Sequence, residues 1–162
     1  MLAIKVRRHR RASRYIAAVW VAFLTATPGF GQSRSQAYLV RRVIDGDTID
    51  LTALGRVSLL GIHAPELDRD PERSTPLARE AQQRLSGLLL NRWVRLEYET
   101  EAPTTRRSAY VFTEDGRFVN EWLVREGLAR VSGRRNLRLL ANLEQAESEA
   151  RRARRGVWRD PH

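Results

Sequence analysis

From residue 37 onward, apolar and polar positions alternate in short runs separated by glycine-bearing turns. This is the period-two signature of strands with one buried face. Residues 37–44, AYLVRRVI, are rich in β-formers and end at Asp45-Gly46, a strong turn signal. Residues 47–53 alternate, with Thr48, Asp50 and Thr52 on one face and Ile49, Leu51 and Ala53 on the other. Gly55 marks the next turn, and residues 56–62, RVSLLGI, predict a third strand with Arg56 and Ser58 on a shared face. Residues 92–99 and 108–113 predict two more strands, the second closing at Asp115-Gly116. In three places the period lengthens to that of a helix. Thr75-Pro76 opens the first, with Thr as N-cap and Leu77, Ala81, Leu85 and Leu88 as its apolar stripe. Residues 119–128 predict a short helix ending at Gly127. Residues 137–155 predict a long charged one, with Leu137, Leu140, Leu143 and Ala150 inward and Gly156 as its stop. Trp93, Trp122 and Trp158 fall on apolar faces and read as core, and 63–75 and 100–107 read as polar loops.

The order β-β-β-α-β-β-α-α, with a helix after the third strand, is that of a five-stranded OB-fold barrel with three helices, an α+β domain that is mainly β. Short strands with regular turns favour closure over an open sheet with exposed edges.

The N-terminus follows a different pattern. Lys5, Arg7, Arg8, Arg10, Arg11 and Arg14 precede an uncharged apolar run, YIAAVWVAFLTAT, at residues 15–27, and Gly29 and Gly31 follow. A basic segment, a short apolar run and a small-x-small site describe a secretory signal peptide over residues 1–31. The run is short for a membrane span. If it stays uncleaved it acts as a signal anchor, the only membrane contact the sequence suggests. Residues 32–36 then form a linker and 37–160 the domain, expected as a monomer that is secreted or periplasmic, or anchored facing the periplasm. Of the 29 basic residues, six lie in this leader, while all 19 acidic ones start at Asp45 or later. The formal charge of +10 is therefore largely the leader's, and the domain keeps only a mild positive excess, compatible with an anionic partner. The absence of cysteine removes disulfides, thiolate metal sites and cysteine nucleophiles, and three histidines are too few for a multi-histidine zinc site.

Three polar clusters carry the candidate chemistry: VIDGDT with Asp45 and Asp47, LLGIHAPE with His63 and Glu66, and TTRRSAY with Arg106 and Arg107. With RRSAYVFTEDGRFVNEWLVREGLA and RRGVW, these stretches resemble the thermonuclease (staphylococcal nuclease) family in order and spacing, over roughly residues 38–158. The resemblance implies an OB-fold barrel with three helices and calcium-dependent hydrolysis of DNA and RNA phosphodiesters. It makes Asp47 a calcium ligand, Asp45 a nearby carboxylate acting through water, Glu66 the general base and Arg106 a phosphate-binding arginine. The types suit the task, because carboxylates hold a hard metal ion through oxygen, a further one activates water, and guanidinium groups pair with phosphate oxygens.

The departures are equally specific. His63 stands where the family has its second calcium aspartate, and imidazole suits manganese or another transition metal better than calcium. Ser58 stands where the family has its first phosphate arginine. Arg56 on the same strand face is a substitute phosphate ligand, and Arg107 is the fallback for Arg106. The family's stacking tyrosines fall at Gly133 and Arg135, and a further tyrosine falls at Thr104. Three readings stay open: an exported metal-dependent nuclease, an impaired OB-fold module that binds nucleic acid or another anion, and a membrane-anchored domain whose site is vestigial.

Overall fold

A computed structural model describes residues 36–70, 72–99, 108–133 and 136–159 of the chain. The leader 1–31, most of the linker, and Arg106 and Arg107 lie outside the described residues. Five strands close a barrel in the order β1 (Ala37–Val43), β2 (Thr48–Leu51), β3 (Gly55–Leu59), β6 (Ser108–Thr113), β5 (Trp93–Glu97), and β5 returns to β1. Every barrel pairing is antiparallel except β3 with β6, a parallel seam of two residue pairs, Ser58 with Ser108 and Leu59 with Ala109. The three helices are α1 (Pro76–Leu89), α2 (Val119–Arg125) and α3 (Leu140–Arg152), followed by a 3-10 turn at Gly156–Trp158. This is the OB-type architecture expected from the order of elements. The core is the strands' inward residues, Val40, Ile49, Leu51, Val57, Val94 and Val111 among them, packed on Leu85, Leu89, Leu123 and Leu143 of the helices.

The run 56–62 is not one strand. It breaks at Leu60-Gly61, and Ile62–His63 form a separate short strand, β4, paired with β7 (Arg130–Val131). Gly61 has φ +80, and a Cβ there would stand 2.8 Å from Leu143 Cδ1, so the turn needs glycine for both conformation and space. The break matters for the site because it carries His63 off the barrel ladder and onto an exposed edge.

The buried side chain of Asn120 holds this region together. Its Oδ1 accepts from Val111 N at 3.0 Å, and its Nδ2 donates to Leu60 O at 2.8 Å. One amide thus serves backbone groups of β6 and of the β3–β4 turn just where the two-pair parallel ladder stops. A second clasp lies at the ends that flank the polar segment 100–107. Tyr110 Oη donates to Glu99 Oε1 at 2.6 Å, and Arg138 N donates to the same oxygen at 2.6 Å. Burial, helped by the Glu99 contact, pushes the Tyr110 phenol up to about 12, so it stays a donor across the physiological range.

Helix boundaries differ from the periodicity reading in explicable ways. Thr75 caps α1 as expected, accepting from Ala78 N at 3.1 Å. Helix α2 stops at Arg125 because the chain reverses at Gly127, φ +71. Helix α3 starts at Leu140 rather than 137, because the Glu99–Tyr110 clasp fixes the preceding turn through the amides of Arg138 and Leu139. The tryptophans are not all core. Trp93 is 48% exposed, because alternation gives the inward positions of β5 to Val94 and Leu96. Trp158 is half-buried between the guanidinium groups of Arg130 and Arg151, at 4.6 and 4.1 Å from its ring. Trp122 is also half-buried and packs against the core.

Replacing Asn120 with alanine takes this partner from the buried Val111 amide and the part-buried Leu60 carbonyl, at about 1–3 kcal/mol each. Chemical denaturation is expected to show a loss of roughly 2–4 kcal/mol. An Asn120→Ala protein within about 0.5 kcal/mol of the parent would contradict the seam's dependence on this amide.

Candidate active site

The Asp45-Gly46-Asp47 turn between β1 and β2 forms one wall. Asp45 Oδ1 accepts from Asp47 N at 2.9 Å, so the first aspartate shapes the loop that presents the second. Gly46 is required by close approach: a Cβ there would lie 2.6 Å from Ala64 Cβ and 2.8 Å from Ala81 Cβ. The turn is thus pressed at once against the chain leaving β4 and against α1. Asp47 ties the same segments by hydrogen bonds. Its carbonyl accepts from Leu59 N at 2.8 Å, its Oδ2 from Ala64 N at 2.7 Å, and its Oδ1 from Thr48 Oγ1 at 3.1 Å.

These contacts surround a polar pocket of about 830 Å³. Its acidic lining is Asp45, Asp47 and Glu66; its basic lining is Arg56 and Arg69; Thr48, Ser58 and His63 complete the polar part. Asp45, Asp47, Arg56, His63 and Glu66, taken from three separate stretches of sequence, therefore share one cavity. Arg106 and Arg107 fall outside the described residues, but Ser108, the next described residue, pairs with the pocket-lining Ser58. Arg69 was missed: no motif marks one arginine among the charges of the 63–75 loop. Gly133 is an exposed glycine, so that position offers no ring for stacking, while Thr104 and Arg135 are not described.

Burial raises the Asp47 carboxyl above the usual aspartate range, and the neighbouring Asp45 charge adds to this against the opposing Ala64 N–H. His63 Nδ1 stands 3.5 Å from Asp47 Oδ2, with its side chain 59% exposed. On β2, Asp50, on the face opposite Ile49 and Leu51, is nonetheless buried. Its side chain is 5% exposed and is held by Arg41 at 2.7 Å and Arg42 at 3.7 Å. A register shift between Val40 and Arg42 in β1 brings both arginines within reach. The Arg41 hydrogen bond keeps the Asp50 carboxyl below its ordinary range.

The family model for staphylococcal nuclease homologues matches residues 56–160. The chain belongs to the staphylococcal nuclease family. It is 34% identical over 136 residues to a thermonuclease of Staphylococcus hyicus, covering 80% of each chain. It is 38% identical over 133 residues to a thermonuclease of Staphylococcus intermedius, covering 77% of each. An uncharacterized endonuclease of Escherichia coli O157:H7 is 34% identical over 125 residues, 75% of this chain and 76% of that one. The barrel of this family member carries its pocket on the DGDT and HAPE segments that the resemblance singled out.

The family depends on divalent metal, and the pocket fits a modest version of such a site. Two adjacent carboxylates, one destabilised in its charged form by burial and by the other, are a hard oxygen donor pair that a cation would relieve. Among the described residues no three His, Asp or Glu side chains converge as ligands. The donor set thus suits an ion held by one or two carboxylates, with water and a substrate oxygen filling the rest of its shell.

Because the folded-state pKa of Asp47 is raised, the unfolded chain gives up its proton first, and stability falls as pH rises from the ordinary aspartate value through the raised one. Asp47→Asn removes that cost and keeps an oxygen for the Ala64 amide. In metal-free buffer the variant is expected to have a higher Tm than the parent at pH 7, with the gain shrinking toward pH 3. A lower Tm at pH 7, or a gain that does not depend on pH, would count against a strained carboxylate.

Proposed function

We propose that the protein is an exported nuclease that hydrolyses phosphodiester bonds of DNA or RNA with a divalent metal ion. The observation that carries the reading is the common pocket of Asp45, Asp47, Glu66 and Arg56, assembled from segments far apart in the chain. Membership of a family whose relatives include thermonucleases and an endonuclease supports the reaction class.

Hydrolysis places extra negative charge on a phosphorus already surrounded by oxygen, so the site must supply positive charge and a proton acceptor. A divalent ion, calcium by resemblance to the family or manganese if His63 takes part, supplies electrostatic stabilisation of the phosphate oxygens when bound. Asp47 and Asp45 would hold it, with His63 beside them. Glu66 accepts a proton from the attacking water as the new P–O bond forms. The P–O bond to the leaving oxygen breaks, and that oxygen takes a proton from solvent, giving a phosphomonoester and a hydroxyl group. Arg106, with Arg107 as neighbour and Arg56 on β3, pairs with the phosphate oxygens. Ser58 is uncharged, so the site works with one fixed cation fewer on that strand.

A second reading keeps the pocket as an anion-binding site without turnover. Ser58 favours it, since loss of a transition-state donor costs about 10²–10³ in rate. Export rests on the basic and apolar leader, and fits a domain free of cysteine.

Cleavage of single- and double-stranded DNA and RNA is to be followed in calcium, manganese, magnesium and zinc, with a chelator control. Glu66→Gln is expected to lower kcat by about 10²–10⁴. Ser58→Arg is expected to raise kcat by about 10-fold or more. Equal cleavage by the parent and Glu66→Gln would refute the assignment of the base. A parent silent in every metal, beside an active Ser58→Arg/His63→Asp double variant, would establish the binding module instead.

A further inference from the structure

We propose that Arg69 is a phosphate-binding residue of this pocket, gripping the nucleic-acid backbone from the loop after β4 and replacing part of the charge that Ser58 does not provide. The proposal deepens the nuclease reading, from which it takes its ligand. Three observations carry it.

Arg69 lines the same cavity as Asp47, Glu66 and Arg56 although it belongs to none of the recognisable motifs. It is also available. Among the described residues its guanidinium forms no ion pair, whereas Arg73 in the same loop stands 3.6 Å from Asp70. Arg56 is in a similar position for a visible reason. It lies in register with Asp50, but that carboxylate is already taken by Arg41 and Arg42. Among the described residues neither guanidinium stands within ion-pair distance of a carboxylate, although Arg56 still feels the Asp50 charge, and both line a pocket whose carboxylates would themselves repel a phosphate. An anionic ligand can enter only if such cations offset that repulsion.

The loop that bears Arg69 is also anchored. Ser74 is buried, and its Oγ accepts from Asp68 N at 2.9 Å; Asp68 Oδ1 in turn accepts from Asp70 N at 3.0 Å. The backbone amides on both sides of Arg69 are therefore fixed, which lowers the ordering cost of using its side chain. A planar guanidinium then offers paired N–H donors to phosphate oxygens, which lysine does not.

The test separates binding from cutting. A fluorescent single-stranded oligothymidylate is bound to the full-length protein in chelator, so that nothing is cleaved, and Kd is measured against salt concentration. Each phosphate contact to a single strand contributes about 0.7 to the slope of log K against log salt. Arg69→Ala is expected to lower that slope by about 0.7 and to weaken binding several-fold at low salt. Arg69→Lys is expected to keep the slope and, in active metal, to raise KM with little change in kcat. Arg73→Ala, in the same loop but paired, is expected to match the parent. An unchanged slope in Arg69→Ala, an equal loss in Arg73→Ala, or a parent without salt-dependent binding overturns the proposal. Failure of the nuclease reading shows separately, as absent cleavage with the Arg69-dependent slope intact.

Discussion

Where the short parallel ladder between β3 and β6 ends, the side chain of Asn120 meets the buried Val111 amide and the part-buried Leu60 carbonyl. The position of the site follows from that contact. The β3–β4 turn that Asn120 holds sets the course of Ile62, His63 and Ala64, and Ala64 N then donates to Asp47. Gly46, pressed against Ala64 and Ala81, closes the same arrangement from the other side. A buried amide on a helix thus determines, through two short chain segments, where a carboxylate faces the pocket.

The pocket's electrostatics are those of an incomplete device. Burial and a like-charged neighbour disfavour the ionised Asp47, which is the condition under which a cation binds with most benefit. Phosphate would meet three carboxylates there unless guanidinium groups shared the space. The cations that line the pocket beside uncharged Ser58 are Arg56, whose cross-strand neighbour Asp50 is hydrogen-bonded to Arg41, and Arg69 from the loop after β4.

Much of this was legible in the sequence because local rules and the fold agree. Alternation in 47–53, the Thr75-Pro76 helix start and the turn glycines all point to the barrel that forms, and the DGDT and HAPE motifs fall on one pocket. The failures have particular causes. Residues 56–62 have the composition of one strand, but packing of Gly61 against Leu143, more than eighty positions later, splits them. The burial of Asp50 was not foreseen, because the shift in β1 that places Arg41 and Arg42 beside it leaves no local signature. Trp93 looked internal by hydrophobicity, while the pleat turns it outward. Arg69 was invisible because its value comes from where the loop is anchored and from which neighbouring charges are already paired. The anchoring residues Asp68, Asp70 and Ser74 are local, but which wall the loop forms and which charges pair is settled only in the fold.

A crystal structure of the Glu66→Gln protein with a short single-stranded oligonucleotide and a divalent ion tests most directly whether this cavity is where phosphate is bound. The expected result is a backbone phosphate inside it, with the ion at Asp47 and guanidinium contacts from Arg56 and Arg69. An oligonucleotide lying across another face of the barrel, with the Asp45–Asp47 turn and Glu66 untouched, would contradict the assignment.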